Sequence, residues 1–139
     1  MSRLVLVAPA FLQAPSPRFL RSRPAALLLR RLPASRLARA LAVPEGPAIA
    51  GAATDLSRPG AASRVVAALR AVATGRRELR EALGRLQVPV EIVTGSADPL
   101  TVPVDRPVTT IDGAGHYPQL THPEQLARTI IGARLPARP

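Results

Sequence analysis

The stretch VPVEIVTGSADPL, residues 88–100, decides how the rest of the chain is read. Its first part, residues 88–95, is a short apolar run rich in β-branched residues, the pattern of a strand covered on both faces. Asp98 follows three positions after Gly95 and immediately precedes Pro99, so its carboxylate sits on a turn beyond the strand. Further on, VTTIDGAGHYPQLTHPEQLARTI (residues 108–130) repeats the arrangement: an apolar run, a turn with Gly113 and Gly115, then His116, eighteen residues after Asp98. Two strands thus deliver an acid and a base to two loops.

Outward from this pair the chain reads as alternating elements. RLVLVAPA, residues 3–10, is a further buried strand ended by Pro9, and residues 108–112 form the third strand. Residues 25–32 and 35–43 are short helical candidates rich in Ala, Leu and Arg. The Pro, Gly and Ala content of residues 44–59 predicts a loop. Val65, Leu69 and Val72 recur at helical spacing, with Gly75 as an end signal, and a second helix then carries Leu79, Leu83 and Leu86 on one face. On its exposed side Glu81 and Arg85 are spaced to pair. In THPE, Thr121 is placed as helix cap with Glu124 three residues on, Pro123 falls in the first turn, and Leu126 and Ile130 face inward. The fold class is α/β, with about three parallel strands and flanking helices.

Composition narrows the function. A length of 139 residues suits one domain, spanning 1–139. The absence of cysteine removes disulfides, thiol nucleophiles and thiolate metal sites, and fits a reducing, cytoplasmic compartment. No apolar run is long enough for a membrane span. The first 44 residues hold eight arginines and no acid, a composition shared with transit peptides, but a buried strand explains their apolar run more simply. All basic residues are arginine and the formal charge is +10. Such a charge suits phosphate backbones, yet only Phe11, Phe19 and Tyr117 are available for base stacking. A nucleic-acid partner is therefore not expected, and a bias of arginine over lysine accounts for the charge.

VPVEIVTGSADPL followed by IDGAGHYPQLTHPEQLARTI resembles the C-terminal part of an α/β-hydrolase fold enzyme. The resemblance implies a Gly-x-x-Asp turn whose acid is Asp98, a small-residue turn whose base is His116, and HPE leading into the final helix. It implies an ester or small-molecule hydrolase with a Ser-His-Asp triad, a small-molecule substrate, and neither a metal nor an organic cofactor. RLVLVAPA resembles the strand that follows the nucleophile in that family, and residues 11–60 the helical cap inserted after it. An acid and an imidazole suit that chemistry, because a carboxylate accepting one ring N–H holds the tautomer that presents the other nitrogen. Asp112 and Asp105 read as turn residues and as fallback acids, and His122 as a helix-start residue rather than a metal ligand.

The family's G-x-S-x-G nucleophile turn has no counterpart. Ser2, Ser16, Ser22, Ser35, Ser57, Ser63 and Ser96 all lack glycines at the required spacing. The expectation is an incomplete α/β-hydrolase fold, whose N-terminal half would bring the nucleophile and without which the chain is inactive. The alternative is a non-catalytic binding or regulatory module derived from a hydrolase. Missing its neighbour, the strand at 4–7 would be an exposed edge open to self-association. The few residues between Asp98 and Val108 replace the usual crossover helix, so they either run extended or leave the two strands imperfectly paired.

Overall fold

Three short β-branched or leucine-rich runs become strands: β1 (Leu4–Val7), β2 (Val90–Gly95) and β3 (Val108–Ile111). The computed structural model, which describes residues 3–132, is mixed α/β, with these strands in one parallel sheet of order β1-β2-β3. The outermost ends of the span 1–139 lie outside the described residues, as does Ser2. Among the described residues six α-helices accompany the sheet: α1 (Arg23–Leu29), α2 (Ala34–Leu41), α3 (Pro47–Ser57), α4 (Ala61–Arg85), α5 (Pro118–Thr121) and α6 (Pro123–Gly132). Two 3-10 turns, at Ala10–Leu12 and Arg18–Arg21, precede them. None of these helices is long and apolar enough to cross a membrane.

The strand period of two divides the apolar residues between two layers. Val5, Val7, Val93 and Ile111 face α6, where Leu126 and Ile130 meet them beside Ala114. Leu4, Leu6, Val90 and Ile92 face the other way, onto Leu83 of α4 and Phe11 and Leu12 of the first 3-10 turn. Arg3 ties the start of the sheet together by bonding Glu91 of β2 and the Ile130 carbonyl of α6. Ala38, Val43 and Ile49 form a separate cluster with Leu37, Leu41 and Tyr117, so α2 and α3 make a small helical lobe of their own.

Both outer strands are edges. Leu4 N–H donates to Pro89 and Ala8 N–H to Val93. In a parallel ladder this turns the backbone groups of alternate β1 residues toward β2 and those of Val5 and Val7 away from it. At the other edge, Val108, Thr109 and Thr110 are exposed. The segment 96–107 that joins β2 to β3 contains no helix, so nothing equivalent to α4 covers that end of the sheet. The segment opens with turns at Asp98 and Thr101, and the pairing is nonetheless in full register from Ile92↔Val108 to Gly95↔Ile111. Imperfect pairing of these strands is thereby excluded.

Five sequence-based expectations are corrected. Residues 44–59 are not a loop: Gly46 and Pro47 open α3, whose alanines favour helix and whose Ile49 is buried in the lobe. Gly75 does not end a helix, and α4 runs unbroken through it. An interior glycine costs a helix only about 1 kcal/mol, which packing along its length offsets. The inward stripe of α4 is shifted as well, because Ala62, Val66 and Leu83 are buried while Val65, Leu79 and Leu86 are exposed. Glu81 pairs with Arg77 at 3.7 Å, one turn before it, instead of with Arg85. Finally, Thr121 does not cap the last helix. It ends α5, and His122 stands at the cap position, its carbonyl accepting the Leu126 N–H at 3.0 Å.

Candidate active site

Parallel strands release their following loops at one end of the sheet, and three loops converge there. The loop after β2 carries Asp98, the loop after β3 carries His116, and the turn after β1 carries Ala8 and Gln13. Local chemistry shapes each. Asp98 forms an Asx turn in which Oδ1 accepts the Leu100 N–H at 2.9 Å. Gly113 takes a left-handed φ of 71° that turns the chain back after β3. The two loops are then laced together by the Ser96 N–H to Ile111 and the Ala97 N–H to Ala114, both at 2.9 Å. Gly95 is needed because a Cβ there would overlap the carbonyls of Ala114 and Gly115.

This lacing brings His116 Nδ1 to 3.1 Å from Asp98 Oδ2. The carboxylate side chain is 0 % exposed and the imidazole 11 %. An ionised carboxylate only accepts, so Nδ1 carries the proton of this bond and the neutral ring keeps its lone pair on Nε2. Asp98 therefore has both oxygens engaged, one on backbone and one on imidazole, as a buried carboxylate requires. The sequence-predicted acid and base are brought together. Asp105 and Asp112 are exposed and do not bond His116; Asp112 instead accepts from Ser96 Oγ at 3.3 Å.

Gln13 is the member of the site that the sequence did not single out. Its Nε2 donates to the Ala8 carbonyl at 2.7 Å and lies 3.3 Å from His116 Nδ1. Since Nδ1 already donates to Asp98, the Gln13 amide is held by Ala8 and packs against the ring instead of bonding it. Ala8 has a left-handed φ of 43°, an uncommon conformation for a residue with a Cβ. No local pattern announces Gln13, which lies 103 positions from His116 in sequence.

The helical lobe also reaches the site. The His116 N–H donates to the Leu41 carbonyl at 2.9 Å, at the end of α2. Gly115, expected to turn the chain, instead permits this approach, because a Cβ there would overlap the Ala42 carbonyl. Tyr117 lies with its ring centroid 4.6 Å from that of His116 and packs into the lobe's apolar cluster. His116 is thus held by three segments of chain, two at its ring and one at its backbone.

A depression of about 170 Å³ opens beside His116, lined by Val7, Ala8, Tyr117, Gln119 and Leu126. Small-molecule pockets usually enclose roughly 300–1,000 Å³, so this space alone does not surround a substrate. Among the described residues the His116 ring bonds Asp98 and packs against Gln13, and no hydroxyl bonds it. Ser96 is engaged elsewhere, accepting the Gly113 N–H at 2.8 Å while donating to Asp112. The described residues also contain no cluster of three or more His, Cys, Asp or Glu side chains able to hold a metal. What the arrangement offers chemically is an oriented base. No protein-family model, no curated protein and no solved structure matches the chain.

Proposed function

We propose that this chain carries the acid and base of a hydrolase of the α/β-hydrolase type, acting on an ester or another small acyl substrate. The observation that supports this reading most is the bond between the buried Asp98 carboxylate and His116 Nδ1 at the shared end of β2 and β3. In that role His116 Nε2 takes the proton of a serine hydroxyl as it attacks the acyl carbon, then returns it to the leaving group. Asp98 fixes the tautomer and stabilises the imidazolium while the proton is held. Gln13 packs against the ring, and the Leu41 carbonyl holds the His116 backbone.

The serine and its oxyanion hole belong, in this proposal, to a partner segment that pairs with β1. The outward backbone groups of Val5 and Val7 and the open depression beside Val7 and Ala8 favour that side of the sheet. Residues 11–60 then play the part of a cap, since α2 abuts the histidine loop. The fold on this reading is an incomplete α/β-hydrolase fold, and the chain alone has no covalent route to acyl transfer.

The test is co-expression with the N-terminal half of an α/β-hydrolase that supplies a G-x-S-x-G turn, followed by assay of p-nitrophenyl esters. Hydrolysis is expected only in the complex, is abolished in His116→Ala, and falls by about four orders of magnitude in Asp98→Asn through loss of the correct tautomer. Activity that survives His116→Ala would overturn the proposal, as would a soluble, assembled complex without activity. Independently, ¹⁵N NMR of the chain should show His116 as the Nδ1–H tautomer, and Asp98→Ala should remove that preference.

A further inference from the structure

On the far side of the sheet from α6, α4 presents arginines to the irregular segment that follows β1. Arg76 donates through Nη1 to the Gln13 carbonyl and through Nη2 to that of Ala10 at 3.4 Å. One turn on, Arg80 donates to Phe11 at 3.3 Å. Arg70 holds the Arg21 carbonyl and so brings the second 3-10 turn to the same helix. Every one of these partners is a neutral carbonyl.

Positive charge is therefore gathered without an acid. None of Arg21, Arg76 and Arg80 forms an ion pair among the described residues, although Arg77 beside them does. Burial, and then the charges of Arg80 and Arg21, lower the pKa of Arg76. Two buried side-chain nitrogens among the described residues lack any hydrogen-bond partner, and they are Nε of Arg21 and Nε of Arg76. A buried donor on a cation with no acceptor is costly. Here two such donors stand on guanidiniums that repel one another.

We propose that Arg21, Arg76 and Arg80 together bind a small oxyanion of the phosphate class. The fit is chemical: a tetrahedral oxyanion offers several acceptors to planar N–H forks, gains charge-assisted bonds, and relieves the repulsion among the three cations. A small anion is favoured over a nucleic acid because Phe11 and Phe19 are the aromatic residues of this region, too few to stack successive bases. Occupancy also bears on the histidine, since Arg76 holds the carbonyl of Gln13, whose side chain packs on His116. The site does not depend on the hydrolase reading, because it uses neither Asp98 nor His116.

The experiment is thermal unfolding and calorimetric titration of the chain with inorganic phosphate, compared with chloride at equal ionic strength. Saturable binding at millimolar phosphate or below, with a rise in Tm that chloride does not give, is expected. Arg21→Gln and Arg80→Gln should each weaken it roughly tenfold or more. Arg21 is the cleaner variant, since its side chain makes no hydrogen bond that folding would miss. Arg36→Gln, which removes the same charge from the exposed face of α2, should leave binding unchanged. Non-saturable behaviour, equal weakening by Arg36→Gln, or binding of a single-stranded oligonucleotide but not of phosphate would each overturn the proposal.

Discussion

The sheet end of the molecule and its helical segment, residues 10–57, are built on different terms. At the sheet end, Val93, Ile111 and Ala114 are fully buried, backbone ladders bind distant parts of the chain, and the polar groups of Asp98 are satisfied. In the helical segment, Phe19, Leu27 and Leu28 are largely exposed, and the Nε atoms of Arg21 and of Arg76, the arginine that ties the segment to α4, have no hydrogen-bond partner. The difference teaches that close packing and satisfied polar groups are concentrated where Asp98 and His116 stand. The helical segment contributes chiefly through two footholds, Leu41 on the histidine loop and Gln13 beside the ring.

Mutation can break this contrast in graded steps. The largest effect is expected at Ile92, which is 1 % exposed between the sheet and α4. Ile92→Ala should cost about 4 kcal/mol in urea unfolding, as large-to-small changes in packed cores do. Gly115→Ala comes next, at about 3 kcal/mol, because the Ala42 carbonyl in the way is backbone and cannot rotate aside. If the helical segment is as loosely held as its surface indicates, this variant should release α2 from the histidine loop, raising amide exchange at His116 while sparing β2.

Ala42→Gly tests the same junction from the other side. Ala42 closes α2 in a left-handed conformation, φ 49° and ψ 47°, which glycine adopts without a Cβ clash. The variant should be more stable by about 0.5–1 kcal/mol, with Tm raised and the His116 tautomer unchanged. A loss of stability would show that the Ala42 methyl packs to more effect than its backbone conformation costs. The smallest effect is expected at Leu27, which is 64 % exposed. Leu27→Ala should lie within about 0.5 kcal/mol of the parent by the same urea titration. A larger loss would mean that α1 is covered in solution, and the contrast between the two regions would then narrow.

Much of the candidate site could be read from the chain because its parts are local. A β-branched run, a glycine and an aspartate before proline specify a strand and an Asx turn wherever they occur, and the same holds for the run ending at Gly113. The misread segments are those in which distant packing overrules local signals. Gly75 carries a stop signal that α4 ignores because both halves of the helix pack on other elements, and the THPE cap yields when Pro118 starts a helix four residues earlier than expected. Gln13 was invisible for a different reason, since a polar residue in a proline-rich stretch has no periodicity that points to a ring far along the chain.

The sequence by itself determined three parallel strands, their order of occurrence, and an acid and a base each placed just past a strand end, because strand period and turn chemistry are written in neighbouring residues. Only the tertiary structure decided that Asp98 and not Asp112 faces His116, that Gln13 packs on the ring while Leu41 holds its backbone, and that Arg21 and Arg76 are left with a partnerless Nε. Those outcomes depend on parallel register and on close backbone approach between segments far apart in the chain, and neither leaves a mark on any short stretch of residues.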